Sequence, residues 1–268
     1  QIKKKLINIF TNETEKSVET CAELTVKLRD KGYDVTEKYS QDTALIICIG
    51  GDGAFLKAVH SCSFPSCPII GINTGHLGFF QEISPYDLDR FIDDYENGEY
   101  SIQKLNTVLA TIKTNTGHEY RHEGLNEIVI KGRQSYSIHL FISIDGMPIE
   151  KFSGDGILVA TSAGSTAYNY SLGGSIVDPR LNALQVTPIA PMNTIAYRAF
   201  TSSILLPAEL SLEVVPEKKE NMIFIASDGI ETGYSNVSEI KVEASDTVVN
   251  LLRFKDYDFW NKVKTKFL

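Results

Sequence analysis

Apolar residues in the first hundred positions form short continuous runs that alternate with stretches of helical spacing. The runs have the length and the isoleucine-rich composition of strands buried on both faces of a sheet, and they lie at 6–10, 44–49 and 68–72. Helical spacing follows at 12–32, 54–60 and 84–98. This alternation of strand and helix predicts a doubly wound α/β domain over residues 1–100.

The first helix of this domain is predicted from its ends and its apolar face. Asn12 followed by Glu15 resembles a capping box, and Gly32 stands where helices commonly end. The spacing of its apolar residues predicts a buried face made of Val18, Cys21, Ala22 and Leu28.

Beyond residue 100 the pattern changes to strand-like runs separated by turn sequences. The runs lie at 107–113, 127–131, 137–144, 156–161, 201–206, 210–215, 223–226 and 237–244. Asn115-Thr116-Gly117 and Asp145-Gly146 have the composition of hairpin turns. Residues 101–245 are therefore predicted to form a mostly-β, sandwich-like domain. We expect the amphipathic tail, residues 246–268, to pack back on the first domain.

Composition and charge narrow the classes of partner. The 268 residues are 43% hydrophobic and 22% charged, as in an ordinary globular protein. A net charge of −8 argues against nucleic acid or an anionic membrane as the main partner. No signal sequence or long apolar run is evident, which predicts a cytoplasmic protein with no membrane partner. Four cysteines are too few for a disulfide scaffold at this length.

The most informative stretch of the first domain is Gly50-Gly51-Asp52-Gly53, at the junction of a predicted strand and a helix. Open α/β sheets bind ligands at such junctions. The stretch lacks the Lys-Ser/Thr pair of a Walker loop, and Leu56 occupies the position where a dinucleotide fingerprint requires its third glycine. Two interpretations remain. Asp52 either caps the next helix, or is a carboxylate that accepts a proton or holds a metal.

Small and hydroxyl-bearing residues mark a second candidate site in the β-rich domain. The segment from Ala160 to Tyr168 offers backbone N–H and side-chain O–H donors without bulk, and Tyr168 can stack on a ring. Asn126-Glu127, at the entrance of a strand, can together donate to and accept from an amine or a ribose hydroxyl. The alternatives are a strand crossing rich in small residues and a solvated loop. Asp228-Gly229 predicts a turn.

Six motifs together resemble the NAD kinase family in their order and rough spacing, over nearly the whole chain. They are Gly50–Gly53, Asn73–Phe79, Leu125–Glu127, Gly154–Gly156, Gly164–Tyr168 and Asp228-Gly229. The tail residues Phe259-Trp260 are also common in the shorter bacterial members of that family.

The resemblance implies an enzyme that transfers phosphate from ATP, or from polyphosphate, to the 2′-hydroxyl of the adenosine ribose of NAD. It implies a divalent cation, Mg or Mn, and a homo-oligomer, either a dimer or a tetramer, but it does not identify metal ligands. By position, Asp52 would be the general base and Asp228 a polar contact. The resemblance assigns the dinucleotide site to Gly53, Phe79, Asn126, Glu127, Asp155, Thr166, Ala167, Tyr168 and Ser171.

Several residues depart from the family pattern. They are Ala54, Ser153, Ser162, Ala163, Met192 and Ala199. These departures bear on the shape of the nucleotide pocket and on the contacts of the phosphate donor. Two other functions remain open: a lipid kinase such as diacylglycerol kinase, which shares the Gly-Gly-Asp-Gly turn, and a regulator that binds the dinucleotide without the chemistry.

Overall fold

A computed structural model of the chain describes residues 5–218 and 222–268, which form two compact units. The first unit comprises the chain up to Leu105 together with Val248–Leu268, and the second is Asn106–Thr247. The elements in chain order are β1 Leu6–Thr11, α1 Glu15–Asp30, β2 Asp34–Thr36, β3 Thr43–Gly50, α2 Asp52–Ser61, β4 Ile69–Asn73, β5 Gln81–Ile83, α3 Leu88–Glu96, β6 Tyr100–Thr114, β7 Glu119–Gly124, β8 Glu127–Lys131, β9 Ile138–Ile144, β10 Met147–Gly154, β11 Gly156–Thr161, a 3-10 helix Ala163–Thr166, α4 Tyr168–Ser171, β12 Ala183–Ile189, β13 Ile204–Pro207, β14 Leu212–Pro216, β15 Ile223–Ser227, β16 Ile230–Tyr234, β17 Val237–Phe254 and α5 Phe259–Phe267.

The first unit is built on a parallel sheet. Its strands are ordered β2-β1-β3-β4, and β4 also pairs in parallel with β5 and with the end of β17. Helices α1 and α3 share one apolar cluster with alternate residues of the sheet, among them Leu45 and Ile47. The residues between them on β3, Ile46 and Cys48, are fully buried as well, so both faces of the sheet are covered. This arrangement confirms the predicted α/β domain.

Helix α1 differs from its prediction in its start and in its buried face. It begins two residues later than the capping box implied, because Thr14 is the N-cap and accepts from the Ser17 backbone N–H. Val18 is 52% exposed, and the buried residues are Ser17, Thr20, Leu24 and Leu28. Small hydroxyl residues are tolerated on this face because they are paired: Thr20 Oγ1 donates to the Lys16 carbonyl, and Ser17 Oγ lies 2.6 Å from Thr74 Oγ1.

The second unit consists of two sheets around a single core. A six-stranded antiparallel sheet has the order β13-β12-β11-β8-β15-β16. The other contains the antiparallel order β10-β9-β14-β17 and the hairpin β6-β7. Residues from both sheets, such as Ile128 and Val159 from one and Leu140 and Val214 from the other, belong to the same buried cluster. The predicted β-rich, sandwich-like fold is therefore confirmed.

Both predicted hairpin turns are present in the second unit. Gly117 connects β6 to β7 with φ +83°, and Asp145-Gly146 connects β9 to β10 with φ +49° and +80°. Positive φ at both central residues is what a tight two-residue hairpin requires. None of the helices within residues 5–218 and 222–268 has the length and apolar composition that crossing a bilayer would take.

Candidate functional site

In the first unit, the glycine turn places Asp52 at the start of α2, directly after the buried strand β3. Gly51 is the N-cap, and no side chain caps the helix. The interpretation of Asp52 as the capping residue is therefore wrong. Gly50 has to be glycine, because a Cβ there would lie 2.6 Å from the Cβ of Ala54. The turn thus frees the Asp52 side chain for contacts outside its own helix.

The Asp52 carboxylate, which is half-buried, is bound by two consecutive backbone N–H groups. Phe79 N–H donates to Oδ2 at 2.8 Å, and Phe80 N–H donates to Oδ1 at 3.1 Å. A Cβ on Gly78 would lie 2.2 Å from Oδ1, so only glycine allows this approach. Each carboxylate oxygen accepts two hydrogen bonds, so both keep capacity for a further donor. The carboxylate is held in place and can still receive a proton.

Phe79 and Gly53, both predicted to line the dinucleotide site, have different surroundings. The Phe79 ring is buried against α5, with centroids 5.7 Å from Phe259 and 5.9 Å from Phe267. The backbone N–H of Phe79, and not its ring, contacts the Asp52 carboxylate. Gly53 is exposed beside Asp52, with no atom within 4 Å of the position that a Cβ would take. The space around Gly53 is therefore open.

In the second unit, Asp228 organises the segment that contains Asn126 and Glu127. Its carboxylate accepts from three consecutive backbone N–H groups, those of Leu125 at 2.7 Å, Asn126 at 2.7 Å and Glu127 at 3.1 Å. Asp228 has φ +47° and precedes Gly229, as the turn prediction requires. The role predicted from the sequence was a polar contact, but the side chain reaches the backbone of the Asn-Glu segment.

Asn126 and Glu127 each bury an acceptor that has no hydrogen-bond partner among the residues the structure describes. The atoms are Asn126 Oδ1 and Glu127 Oε2, in residues that are only 6% and 7% exposed. Burial, with a smaller contribution from the nearby Asp228 carboxylate, raises the pKa of Glu127 to about 8. A buried acceptor without a partner is costly and usually marks a position that a ligand or a water fills.

The segment of small and hydroxyl-bearing residues around Gly164 is packed against the backbone of Asn126. A Cβ on Gly164 would lie 1.9 Å from the Asn126 carbonyl oxygen, and Thr161 Oγ1 donates to the Leu125 carbonyl at 2.6 Å. Gly164 N–H donates to Thr161 Oγ1 at 3.0 Å. The sequence analysis included Thr161 in this segment as a possible donor to a ligand, whereas its hydroxyl is bonded to the backbone of Leu125 and Gly164.

Asn169 is a residue that the sequence analysis missed. It is fully buried, its amide donates to the carbonyls of Ser165 and Ser175, and its Oδ1 accepts from Thr187 Oγ1 at 2.6 Å. A Cβ on Gly174 would lie 2.3 Å from Asn169 Oδ1. This network sets the path of the chain on either side of Tyr168.

The remaining predicted site residues divide into two groups. Thr166 is buried and Ala167 half-buried, and they continue the Gly164 segment into α4, where Tyr168 is 44% exposed and Ser171 is exposed. Asp155 is exposed at the other end of β11, where Gly156 pairs with Lys131, whereas Ala160 pairs with Glu127. The four steps along the strand from Gly156 to Ala160 span roughly 13 Å, at about 3.3 Å per residue. The structure therefore does not bring Asp155 together with the Asn-Glu pair.

Two basic residues near the C-terminus, Arg253 and Lys262, were also missed. Arg253 is only 4% exposed and follows Val248–Leu252, a stretch that is apolar except for Asn250. A buried arginine is rare unless it is paired, so an arginine at the end of such a run was the available signal.

Within residues 5–218 and 222–268, no group of three or more His, Cys, Asp or Glu side chains is arranged to hold a metal ion.

Comparison with known proteins gives matches along nearly the whole chain. The family model described as the ATP-NAD kinase N-terminal domain matches residues 2–100, and the one described as the ATP-NAD kinase C-terminal domain matches residues 125–254. NAD kinase from Finegoldia magna is 40% identical over 270 residues, covering 98% of both chains. NAD kinase 2 from Halalkalibacterium halodurans is 34% identical over 265 residues, also covering 98% of both.

Two solved structures share the fold. Yeast NADH kinase complexed with NADH aligns with a TM-score of 0.85 at 21% identity, covering 98% of this chain and 87% of the yeast chain. An NAD kinase from Archaeoglobus fulgidus in complex with ATP aligns with a TM-score of 0.76 at 24% identity, covering 97% and 99%. At these identities the likeness shows the fold alone.

Proposed function

Because the chain belongs to the NAD kinase family, we propose that it transfers the terminal phosphate of ATP to the 2′-hydroxyl of the adenosine ribose of NAD, giving NADP. The observation that carries the substrate assignment is the pair of buried, unpartnered acceptors on Asn126 and Glu127. An adenosine offers the donors that such acceptors need, because it has an exocyclic amine and ribose hydroxyls.

The energetics of these acceptors favour a ligand with N–H or O–H groups. Leaving a buried acceptor unpaired costs about 1–3 kcal/mol, more for a charged group. Asp228 and Gly164 fix the backbone that carries both side chains, so the acceptors keep their positions before a ligand arrives. Donors of a ligand that reach Asn126 Oδ1 and Glu127 Oε2 would therefore gain hydrogen bonds without reordering the protein.

The proposed role of Asp52 is to accept the proton of the ribose hydroxyl. A ribose hydroxyl is a weak nucleophile, and a positioned carboxylate can take its proton as the oxygen attacks phosphorus. The O–H bond breaks to Asp52, a new O–P bond forms, the bond between the terminal phosphate and ADP breaks, and the proton later passes to water. The rest of the catalysis is positioning and charge neutralisation.

The remaining assignments follow from the second unit and from the relatives. We propose that Thr166, Ala167, Tyr168 and Ser171 line the dinucleotide site with Asn126 and Glu127, and that Gly53 leaves room beside Asp52. Asp155 stays a prediction that the geometry does not link to this group. We propose that Mg or Mn enters with ATP, bound to its phosphates, and we assign no metal ligand. Polyphosphate as an alternative donor, self-association and a cytoplasmic location stay predictions.

An assay with Asp52→Asn tests the proposed reaction. Turnover of NAD and Mg-ATP to NADP should fall roughly 10²–10⁴-fold, the usual contribution of a positioned base, while NAD affinity measured by calorimetry stays within a few-fold. The matched control is Asp30→Asn, an exposed aspartate at the end of α1, which should leave turnover unchanged.

Three outcomes would contradict the proposal, each in a different way. An unchanged turnover number in Asp52→Asn would remove Asp52 as the base. Binding of NAD by the wild-type protein without NADP formation, with ATP and either magnesium or manganese, would indicate a regulator. Phosphate transfer to diacylglycerol and none to NAD would indicate a lipid kinase.

A further inference from the structure

The two N–H groups that hold Asp52 belong to two consecutive peptide units whose carbonyl oxygens are bound by cations. In the first peptide unit, the Gly78 carbonyl accepts from Lys262 Nζ at 3.1 Å, and the Phe79 N–H donates to Asp52. In the second, the Phe79 carbonyl accepts from Arg253 Nη2 at 2.8 Å, and the Phe80 N–H donates to Asp52. Each cation is thus one peptide unit away from the carboxylate.

The same two cations also bind the next carbonyls along the chain. Arg253 Nη1 donates to the Phe80 carbonyl at 3.2 Å, and Lys262 Nζ donates to the Gln81 carbonyl at 2.8 Å. Four consecutive carbonyl oxygens, from Gly78 to Gln81, are therefore held by side chains from the C-terminal segment of the first unit. Hydrogen bonds arranged in series polarise one another, so a cation on the oxygen strengthens donation by the N–H of the same peptide.

The guanidinium of Arg253 is itself fixed in one orientation. Its Nε donates to Gln103 Oε1 at 2.9 Å, its Nη1 lies 3.2 Å from Glu82 Oε2, and its Cζ lies 3.6 Å from the ring centroid of Tyr257. Burying a guanidinium is unfavourable unless its donors are used. This residue places two of its donors on the segment that binds Asp52.

Lys262 is held in a similar way but with less burial. It lies on α5, is half-buried, and donates its hydrogen bonds to the carbonyls of Gly78 and Gln81, with Nζ also 5.6 Å from the ring centroid of Tyr257. The charged groups around it are Arg253, Lys266, Glu82 and Asp52. Burial, reinforced by Arg253, lowers the pKa of Lys262 to about 8, so the side chain is still mainly protonated at neutral pH.

We propose that Lys262 and Arg253 are positioning residues for Asp52, each acting through one peptide unit of the Gly78–Phe80 segment. This proposal rests on the proposed function, in which Asp52 accepts the proton of the substrate hydroxyl. The two cations fix the direction of the amide N–H groups, and the N–H groups fix the direction of the carboxylate. A tail that merely stabilised the unit would not need to bind these particular peptide oxygens.

A double-mutant cycle between Lys262 and Asp52 tests the proposal. Lys262→Met removes the donor and the charge and keeps the apolar stem. We expect kcat to fall roughly 5–50-fold, since displacing a catalytic group by as little as 1 Å can cost about 10²-fold, with KM for NAD and ATP changing less than about twofold. In the Asp52→Asn background the same substitution should change kcat less than twofold, because the group that it positions is already gone.

Two further variants complete the design. Lys264→Met makes the same change at an exposed position of the same helix and should leave kcat unchanged. Arg253→Lys keeps the charge opposite Glu82 but loses the fork that spans two carbonyls. It should lower kcat about 3–10-fold with the same dependence on Asp52. If Lys262→Met fails to fold, Arg253→Lys tests the positioning role in the same double-mutant cycle with Asp52→Asn.

The outcomes separate this proposal from the assignment of the base. If Asp52→Asn keeps its turnover, the proposed base is wrong, and Lys262 has no base to position. If Asp52→Asn loses turnover but the Lys262 substitution has no effect, the positioning role is refuted while the base survives. Equal loss of kcat in both backgrounds, or a loss confined to KM, refutes the positioning role in the same way.

Discussion

Replacing Glu127 by glutamine tests whether the buried carboxylate of the Asn-Glu pair lowers the stability of the free protein. Burial raises the pKa of Glu127 to about 8 from an ordinary value of 4.5. A raised carboxyl pKa means that the folded state keeps a proton that the unfolded chain releases. The contribution of this group to stability is therefore fully present below pH 4.5 and is lost as the pH rises through 8.

The magnitude follows from the shift in pKa. One pKa unit corresponds to about 1.4 kcal/mol, so the free energy of unfolding should lose on the order of 3 kcal/mol between pH 5 and pH 8 from this group. Glutamine has nearly the same shape and does not titrate. Glu127→Gln should therefore gain stability relative to wild type by that amount over the same pH range, while at pH 5 the two proteins differ much less.

Urea unfolding of both proteins at several pH values between 5 and 8 measures the effect. Glu209→Gln is the matched control, since it removes an exposed carboxylate from the same unit but keeps Glu127, so its stability should follow that of wild type from pH 5 to pH 8. A difference between Glu127→Gln and wild type that stays constant from pH 5 to pH 8 would refute the reasoning. At pH 8, where a substantial share of Glu127 is ionised, saturating NAD should stabilise wild type more than the variant, because hydrogen bonds from the ligand to a charged carboxylate are stronger than those to a neutral amide.

Two further substitutions test the second unit. Gly164→Ala should destabilise the protein by about 1–3 kcal/mol or more in urea unfolding, because its Cβ would meet the Asn126 carbonyl oxygen at 1.9 Å. Gly53→Ala is the stability control, because nothing lies within 4 Å of its Cβ position. Equal stability of the two variants would contradict the packing described for Gly164. Tyr168→Ala should weaken NAD binding roughly 5–50-fold in calorimetry, the value of stacking one ring, with the exposed Tyr86→Ala as control; unaltered affinity would exclude a stacking role.

The elements of the fold were predictable where a pattern in the sequence is local. The isoleucine-rich run of β3 predicted a buried strand, and Asp145-Gly146 predicted a hairpin turn, because each depends on neighbouring residues alone. The buried face of α1 was predicted only in part: Leu28 is buried and Cys21 packs against the same cluster, but Val18 and Ala22 are exposed. A count of apolar residues misses Ser17 and Thr20, whose hydroxyls are paired inside the unit. A bond within the helix, from Thr20 to the Lys16 carbonyl, and a contact with Thr74, 57 positions from Ser17, made these hydroxyls acceptable in the core.

The motifs of the candidate site were predictable, but the hydrogen bonds between its distant segments were not. The glycines around Asp52 marked it as a candidate, yet the N–H groups that hold it come from residues 27 and 28 positions later. The cations behind those peptides lie more than 170 positions further along the chain. Such contacts depend on how distant segments fold together, which neither periodicity nor a short motif encodes.

Three carboxylates of the candidate site differ in their hydrogen-bond partners, and the difference suits them to different roles. Asp228 accepts three backbone N–H groups, and Asp52 accepts two, so both are fixed by main chain and not by mobile side chains. Glu127 is the reverse case, a buried carboxylate with one oxygen that no donor reaches within the described chain. Fixed carboxylates suit a base and a scaffold, because their direction does not change. An unpaired one suits ligand binding, because the donor that satisfies it also relieves the cost of burying it.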